Sequence, residues 1–256
     1  MDSKRVLITI KTYPTPSTRY REIVCTGGVL NDGSLIRLYP IDYRYRSYSQ
    51  WFKKYQWIDV ELVKHKQDTR PESYKPVGEI EVLSDKPLDT RNNWAERKKY
   101  VLAKGTKDMC WLDKQPQKEI SLAIIKPSKV IDFTWKKTSS IWSQQQLNAL
   151  NQARLFDANT YKPLEKIPYE FSYSFKCDAK ECKGHKKMIE DWEVMELFRK
   201  MRDNFNSENQ ALEKVKEKFL NEICSPKRDT YFFVGTVRAF GTWIILGTFW
   251  PPKTQS

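Results

Sequence analysis

The stretch CDAKECKGH places Cys177, Cys182 and His185 at a C-x4-C-x2-H spacing. Thiolates and imidazole are the donors that Zn²⁺ prefers, and a structural zinc takes four of them. Three donors lie within nine residues of a glycine-containing loop, so a structural Zn²⁺ is the cofactor this spacing suggests. The fourth donor is missing locally. Cys224 is the first choice, because a helix hairpin over 189–223 returns it towards the loop. Asp178, Asp191 and the distant Cys110 or Cys25 are alternatives. A catalytic zinc needs an open position and a base, and the H-x-E with P-C-x-x-C pattern of deaminases is absent.

Carboxylates offer a second chemistry. Glu190, Asp191, Glu193 and Glu196 cluster where a helix should begin. Read as catalytic, Asp191 and Glu193 are metal ligands of a nuclease or related hydrolase. Read plainly, they complement a helix dipole, and this is the favoured reading. DVELVK puts Asp59 and Glu61 on one strand face but contains no E-x-K. No GxxxxGK[ST] or GxGxxG occurs, which argues against a nucleotide-fuelled motor. His65 is the only other histidine, and the sequence gives it no evident triad partner.

Charge offers a third. The 256 residues carry a formal net charge of +13. Residues 86–140 hold 13 basic and 6 acidic groups, so they supply +7 of that excess. Such a balance suits polyanions, nucleic acid first. Candidate contacts are Arg37, Tyr39, Arg44 and Arg46 in the aromatic stretch RLYPIDYRYRSYSQWFKKYQW, then Arg97, Lys98 and Lys99, with Lys136 and Lys137 extending the track. Tyr39 is the candidate stacking ring.

These groups need elements to hold them. RVLITIK, REIVCTGGVL, LIRLYPI, WIDVELVKH and GEIEVLS read as strands, with an Asp-Gly turn after the second. Tyr48, Trp51, Phe52 and Tyr55 fall at i, i+3, i+4, i+7, which predicts a short helix burying that face. IDYRYR alternates as an extended strand would. Asn92 to Ala103 reads as a basic helix ending at Gly105. SLAIIKP, KVIDFTW and YEFSYSFKC read as strands, with a polar helix from Ser143 to about Leu155 before the third. Helices over 189–201 and 208–223 follow, then the hairpin TYFFVGTV and GTWIILGTFW. Each half reads as three strands, helix, two strands. That is the element order of an OB barrel, a five-stranded Greek key.

The stretch IVCTGGVLNDGSLIRLYPI, with FKCDAKECKGHKKMIEDWE and the closing YFFVGT and TWIILGTFWPP, resembles bacterial dual OB-containing proteins. The resemblance implies two OB-like barrels in defence or mobile-element settings, and no settled activity.

The expected architecture is β-dominated α+β: two OB-like five-stranded barrels with a basic helical connector and a C-terminal helix hairpin. The expected domains are a barrel over 1–85, a connector over 86–118, and a second barrel over 119–256. The expected function is non-catalytic nucleic-acid binding, as an accessory or sensor component. The alternatives are a metal-dependent nuclease or an adaptor for a separate effector protein. No export signal or run long enough to span a membrane is evident, so the expectation is a cytoplasmic protein with reduced cysteines and no membrane partner.

Overall fold

A computed structural model describes residues 2–155, 163–237 and 241–254. In the first half, β1 (Asp2–Lys11), β2 (Thr15–Ser17), β3 (Arg21–Leu30), β4 (Leu35–Ile41), β5 (Trp57–Lys64) and β6 (Ser73–Val82) form one sheet. β1 pairs with β3, β3 with β4, β4 in parallel with β6, β6 with β5, and β5 with β1. The sheet therefore closes into a five-stranded barrel, with β2 appended to β3. Alternation drives closure: Ile58, Val60 and Leu62 are buried with Val6, Ile8, Ile36 and Leu38. Gly28 permits the tight crossing, since a Cβ there would lie 2.2 Å from the Leu7 carbonyl oxygen.

The second half begins with α1 (Arg91–Val101) and α2 (Met109–Leu112). Then come β7 (Leu122–Ile125), β8 (Lys129–Lys137), α3 (Gln144–Leu155), β9 (Tyr169–Lys176) and β10 (His185–Ile189). α4 (Trp192–Phe205), α5 (Glu208–Lys216), a π-helical turn Glu217–Glu222, β11 (Tyr231–Thr236) and β12 (Trp243–Phe249) complete it. The strand order is β7-β11-β12-β10-β9-β8. The two ends of that order, β7 and β8, are separated only by Lys126, Pro127 and Ser128. They are one strand broken at a proline, which cannot donate to a ladder. With β7 and β8 counted as strand one, the ring repeats the first barrel's order, including the parallel pairing of strands three and five. The expected OB-like architecture holds.

The five strands of the second barrel are not the five expected. SLAIIKP and KVIDFTW are two pieces of one strand, and the true third strand is β10, inside what reads as a Cys/His loop. The expected helix over Tyr48–Tyr55 is absent. Two short 3-10 turns, Tyr43–Tyr45 and Tyr48–Gln50, take its place, and Tyr55 sits at φ 66. Eight residues are too few for a helix to hold in water by itself, and only two of the four aromatics are buried: Phe52 in the first barrel's core and Tyr55 in the cluster between the barrels. Tyr48 is 85% exposed and Trp51 42% exposed. The 3-10 turn also replaces the extended reading of IDYRYR. In α3, Ala149 is buried and Leu147 and Leu150 are half-buried; Leu155, also expected to face inward, lies outside the described side chains.

Phe133, Phe171, Tyr173, Phe175 and Phe232 fill the second barrel, and α4 and α5 cover it with Val194, Phe198, Leu212 and Val215. Each such side chain contributes about 1.5–3 kcal/mol by leaving water. A shared cluster joins the barrels: Leu7, Val29 and Tyr55 meet Leu122, Ile124, Phe233, Leu246 and Phe249, with Trp94 and Val101 of α1 among them. The connector helix is thus part of the seam. Among the described residues, no helix is long and apolar enough to cross a membrane.

Candidate metal centre and charged seam

Cys177 directly follows β9, Cys182 lies in the β9–β10 turn, and His185 opens β10 after Gly184 at φ 99. The fourth group comes from α2. Asp108 caps that helix by accepting from the Cys110 and Trp111 amides, and Cys110 faces the turn. The donor atoms of Cys110, Cys177, Cys182 and His185 all lie within 4.8 Å of one another. His185 Nε2 is 3.4 Å from each of the three sulfurs, and Cys177 Sγ is 3.4 Å from Cys110 Sγ. Zinc–sulfur and zinc–nitrogen bonds of about 2.3 and 2.0 Å give tetrahedron edges of about 3.5–3.8 Å. The donor set and spacing fit a closed four-coordinate site.

The surroundings also fit. His185 Nδ1 is 3.3 Å from an Asp113 oxygen, which leaves Nε2 for the cluster. Lys187 donates to the other Asp113 oxygen at 2.7 Å. Burial and the neighbouring thiols push the Cys110 thiol up to about 12. Cys224 is not in this group, which corrects the first choice for the fourth ligand. Its thiol donates to the Phe219 carbonyl at 3.3 Å, because the π-helical turn ends the hairpin against the barrel interior. The residue that replaces it, Cys110, lies 67 positions before Cys177. Only its pairing with a histidine and two cysteines in space identifies it.

The carboxylates proposed for a nuclease serve the seam. Asp191 is fully buried and caps α4, accepting from the Glu193 amide at 3.0 Å. Lys54 of the first barrel donates to both Asp191 oxygens at 2.7 Å and to Glu193 at 3.0 Å. Burial disfavours the Lys54 ammonium, but these two carboxylates outweigh it and raise its pKa. Both Asp191 oxygens are thus held by Lys54 in a site closed to solvent. Beside it, Lys11 lies 3.5 Å over the Tyr43 ring and 4.5 Å over Trp192. Burial and then Lys54 push its pKa down to about 7.

Several expected polyanion contacts are also internal. Arg37 is 2% exposed; it donates to Ser73 Oγ, Ser121 Oγ and the Ser121 carbonyl at 2.8–3.0 Å. This ties the barrels together and excludes a role on the surface. Tyr39 is half-buried, its ring 5.9 Å from His65. Arg44 pairs with Glu22 at 2.8 Å and Arg46 with Asp42 at 2.9 Å. Arg97 donates to the Leu88 carbonyl at 2.7 Å and lies 4.0 Å over Tyr55. Lys98 is half-buried and Lys99 exposed. Lys136 is exposed; Lys137 is exposed but pairs with Glu208 at 3.2 Å. Sequence reasoning passed over exposed Trp111 and the exposed lysines in and beside the Cys/His run: Lys176, Lys180, Lys183 and Lys186. The run FKCDAKECKGHKK carried that signal.

Residues 105–256 match the model of a family described as Domain of unknown function (DUF8757), and residues 2–103 match Domain of unknown function (DUF8758). Among curated proteins, none matches. Solved structures similar to this chain include a murine DNA binding protein bound with double-stranded DNA, at 9% identity and a TM-score of 0.31. That match covers 100% of this chain and 98% of the other. The tetrameric p202 HIN2 is also similar, at 9% identity and a TM-score of 0.31, covering 99% of this chain and 92% of that one.

Proposed function

This chain belongs to the family described as Domain of unknown function (DUF8757), and we propose that it is a non-catalytic nucleic-acid-binding protein whose second barrel is clasped by a structural Zn²⁺. Cys110, Cys177, Cys182 and His185 would hold the metal. The donor set is closed, so the zinc supplies folding energy and no open coordination position.

What supports binding is the charge left on the surface. Arg37, Arg44, Arg46 and Arg97 are engaged inside the protein, yet Lys136, Lys176, Lys183 and Lys186 of the second barrel stay exposed. Exposed lysines on an OB-like barrel suit phosphate contacts. What supports binding over hydrolysis is the use of Asp191 and Glu193 by Lys54. The resemblance to dual OB-containing proteins supports an accessory or sensor role in bacterial defence or mobile elements.

The test is a titration of labelled single-stranded DNA, duplex DNA and RNA at about 50 and 200 mM salt. Affinity should fall steeply as salt rises. Absence of binding at low salt, or salt-independent binding, refutes the reading, and cleavage in Mg²⁺ or Mn²⁺ by the pure protein refutes its non-catalytic part.

A further inference from the structure

The clasp does more than close a turn. α2 is four residues long, with Met109 and Leu112 fully buried and Cys110 in the cluster. Trp111 is left 45% exposed, with Lys107 Nζ 5.7 Å from its ring. One turn of helix has no stability of its own. Here the Asp108 cap, Cys110 in the cluster, and a bond from Trp243 Nε1 to the Leu112 carbonyl at 3.0 Å hold it.

Lysines surround the same cluster. Lys176 precedes Cys177, Lys183 follows Cys182, and Lys186 follows His185; all three are exposed. His185 pairs with Phe175 across the ladder, and their rings are 5.3 Å apart. Successive strand residues alternate faces, so Lys176 and Lys186 stand on the outer face of β9–β10. There Lys129 faces Lys176, and Lys186 faces Ser174. Small side chains, Ser172, Ser174 and Thr134, share these rows, so a ligand backbone can approach closely. Three nearby acids are engaged: Asp113 by His185 and Lys187, Asp132 by Lys216 at 3.0 Å, Asp108 by the α2 cap. Asp178 and Glu181 are exposed, and so is Glu170, on the same face of β9 as Lys176 but opposite Lys136 in the ladder. β9 and β10 are the second and third strands of the ring, the face on which OB barrels take oligonucleotides.

We propose that this end of the second barrel is a contact surface for single-stranded nucleic acid: Trp111 stacks an unpaired base, while Lys107, Lys176, Lys183 and Lys186 hold the neighbouring phosphates. The inference rests on the nucleic-acid reading above and specifies its place and strandedness. Stacking on a lone indole requires a base free of its duplex partner. Reading a duplex groove requires a helix or ribbon that enters it, and α2 is too short.

The experiment measures binding of the zinc-loaded full chain to fluorescent oligo-dT and to a duplex of equal length across a salt series. Three variants are compared: Trp111→Ala, Trp111→Tyr, and Lys176→Gln/Lys183→Gln/Lys186→Gln. Zinc content and melting temperature confirm that each is folded. Trp111→Ala should weaken oligo-dT binding about 5- to 100-fold with an unchanged salt slope, and Trp111→Tyr should restore most of it. The lysine triple should lower the slope by about 2. Parent-like oligo-dT binding by both Trp111→Ala and the lysine triple would overturn this surface and leave the binding reading intact. Tighter binding of the duplex than of oligo-dT would overturn the strandedness. Failure of the parent to bind either probe would overturn both the reading and the inference.

Discussion

The Nζ atom of Lys54 lies 2.7 Å from both carboxylate oxygens of Asp191, a residue 137 positions away in the other barrel. Asp191 is fully buried and the Lys54 side chain 8% exposed. Attraction in such a setting offsets a desolvation cost of several kcal/mol per ion, and removing one partner strands the other. Lys54→Met or Asp191→Leu should each destabilise the fold by about 3–5 kcal/mol in urea unfolding. The double Lys54→Met/Asp191→Leu should cost clearly less than the sum of the two. Additive losses would show that the pair is not coupled.

Lys11 gives the seam a pH dependence. Its pKa falls from an ordinary 10.5 to about 7 through burial, with Lys54 adding repulsion and Glu193 and Asp191 opposing it. Between these values the unfolded chain holds the proton and the folded chain does not. Stability should therefore rise with pH from about 7 towards 10 and be flat on this account below 7. Solvent near this half-buried ammonium reduces the effect to on the order of 1–3 kcal/mol. Lys11→Met should remove that slope. Identical pH profiles of parent and variant in urea midpoints would sink the assignment.

Most of the strands were legible because alternation in WIDVELVKH and β-branched runs such as LAII report strands directly. β10 was not, because HKKMI has three polar residues and buries only Ile189 fully. The i, i+3, i+4, i+7 aromatic series misled for a related reason: periodicity reports spacing, while burial of Phe52 but not Tyr48 depends on where the barrel mouth lies. Arginine type alone predicts charge. It gives no hint that Arg37 would find two serines and a carbonyl in the seam. Three of the four clasp residues were readable from local spacing; the fourth is a contact between chain segments 67 positions apart.

Arg37 separates architecture from ligand binding. Burial lowers its pKa, and its donors nevertheless are met by Ser73 and Ser121, while Glu72 accepts from the Ser121 amide and hydroxyl. Arg37→Lys keeps the charge but loses the planar fork that reaches several acceptors at once. It should cost about 2–4 kcal/mol in unfolding free energy. The salt slope of nucleic-acid binding should stay unchanged in the folded fraction. Arg37→Gln removes the charge and should likewise leave the slope of the folded fraction unchanged; a drop of about one in that slope would return Arg37 to the contact surface.

The clasp makes the sharpest distinction between two cysteines. Purified protein should carry about one zinc per chain if the four donors form a closed site. Cys110→Ser replaces a thiolate with a poor zinc ligand and leaves the β9–β10 turn untethered from α2. Zinc should be lost from it, and its melting temperature should fall by about 10 °C or more, since several kcal/mol of metal-linked folding energy goes with the ion. A chelator applied to the parent should reproduce that drop, and adding Zn²⁺ back should reverse it. Cys224→Ser removes only a thiol that donates to the Phe219 carbonyl, so zinc content should remain at about one and the loss should stay near 1 kcal/mol. Cys25, on β3 in the other barrel, is a second control. Full zinc in Cys110→Ser together with none in Cys224→Ser would reverse the ligand assignment. The absence of zinc from the parent, even after reconstitution, would remove the metal and leave four crowded donors to be explained otherwise.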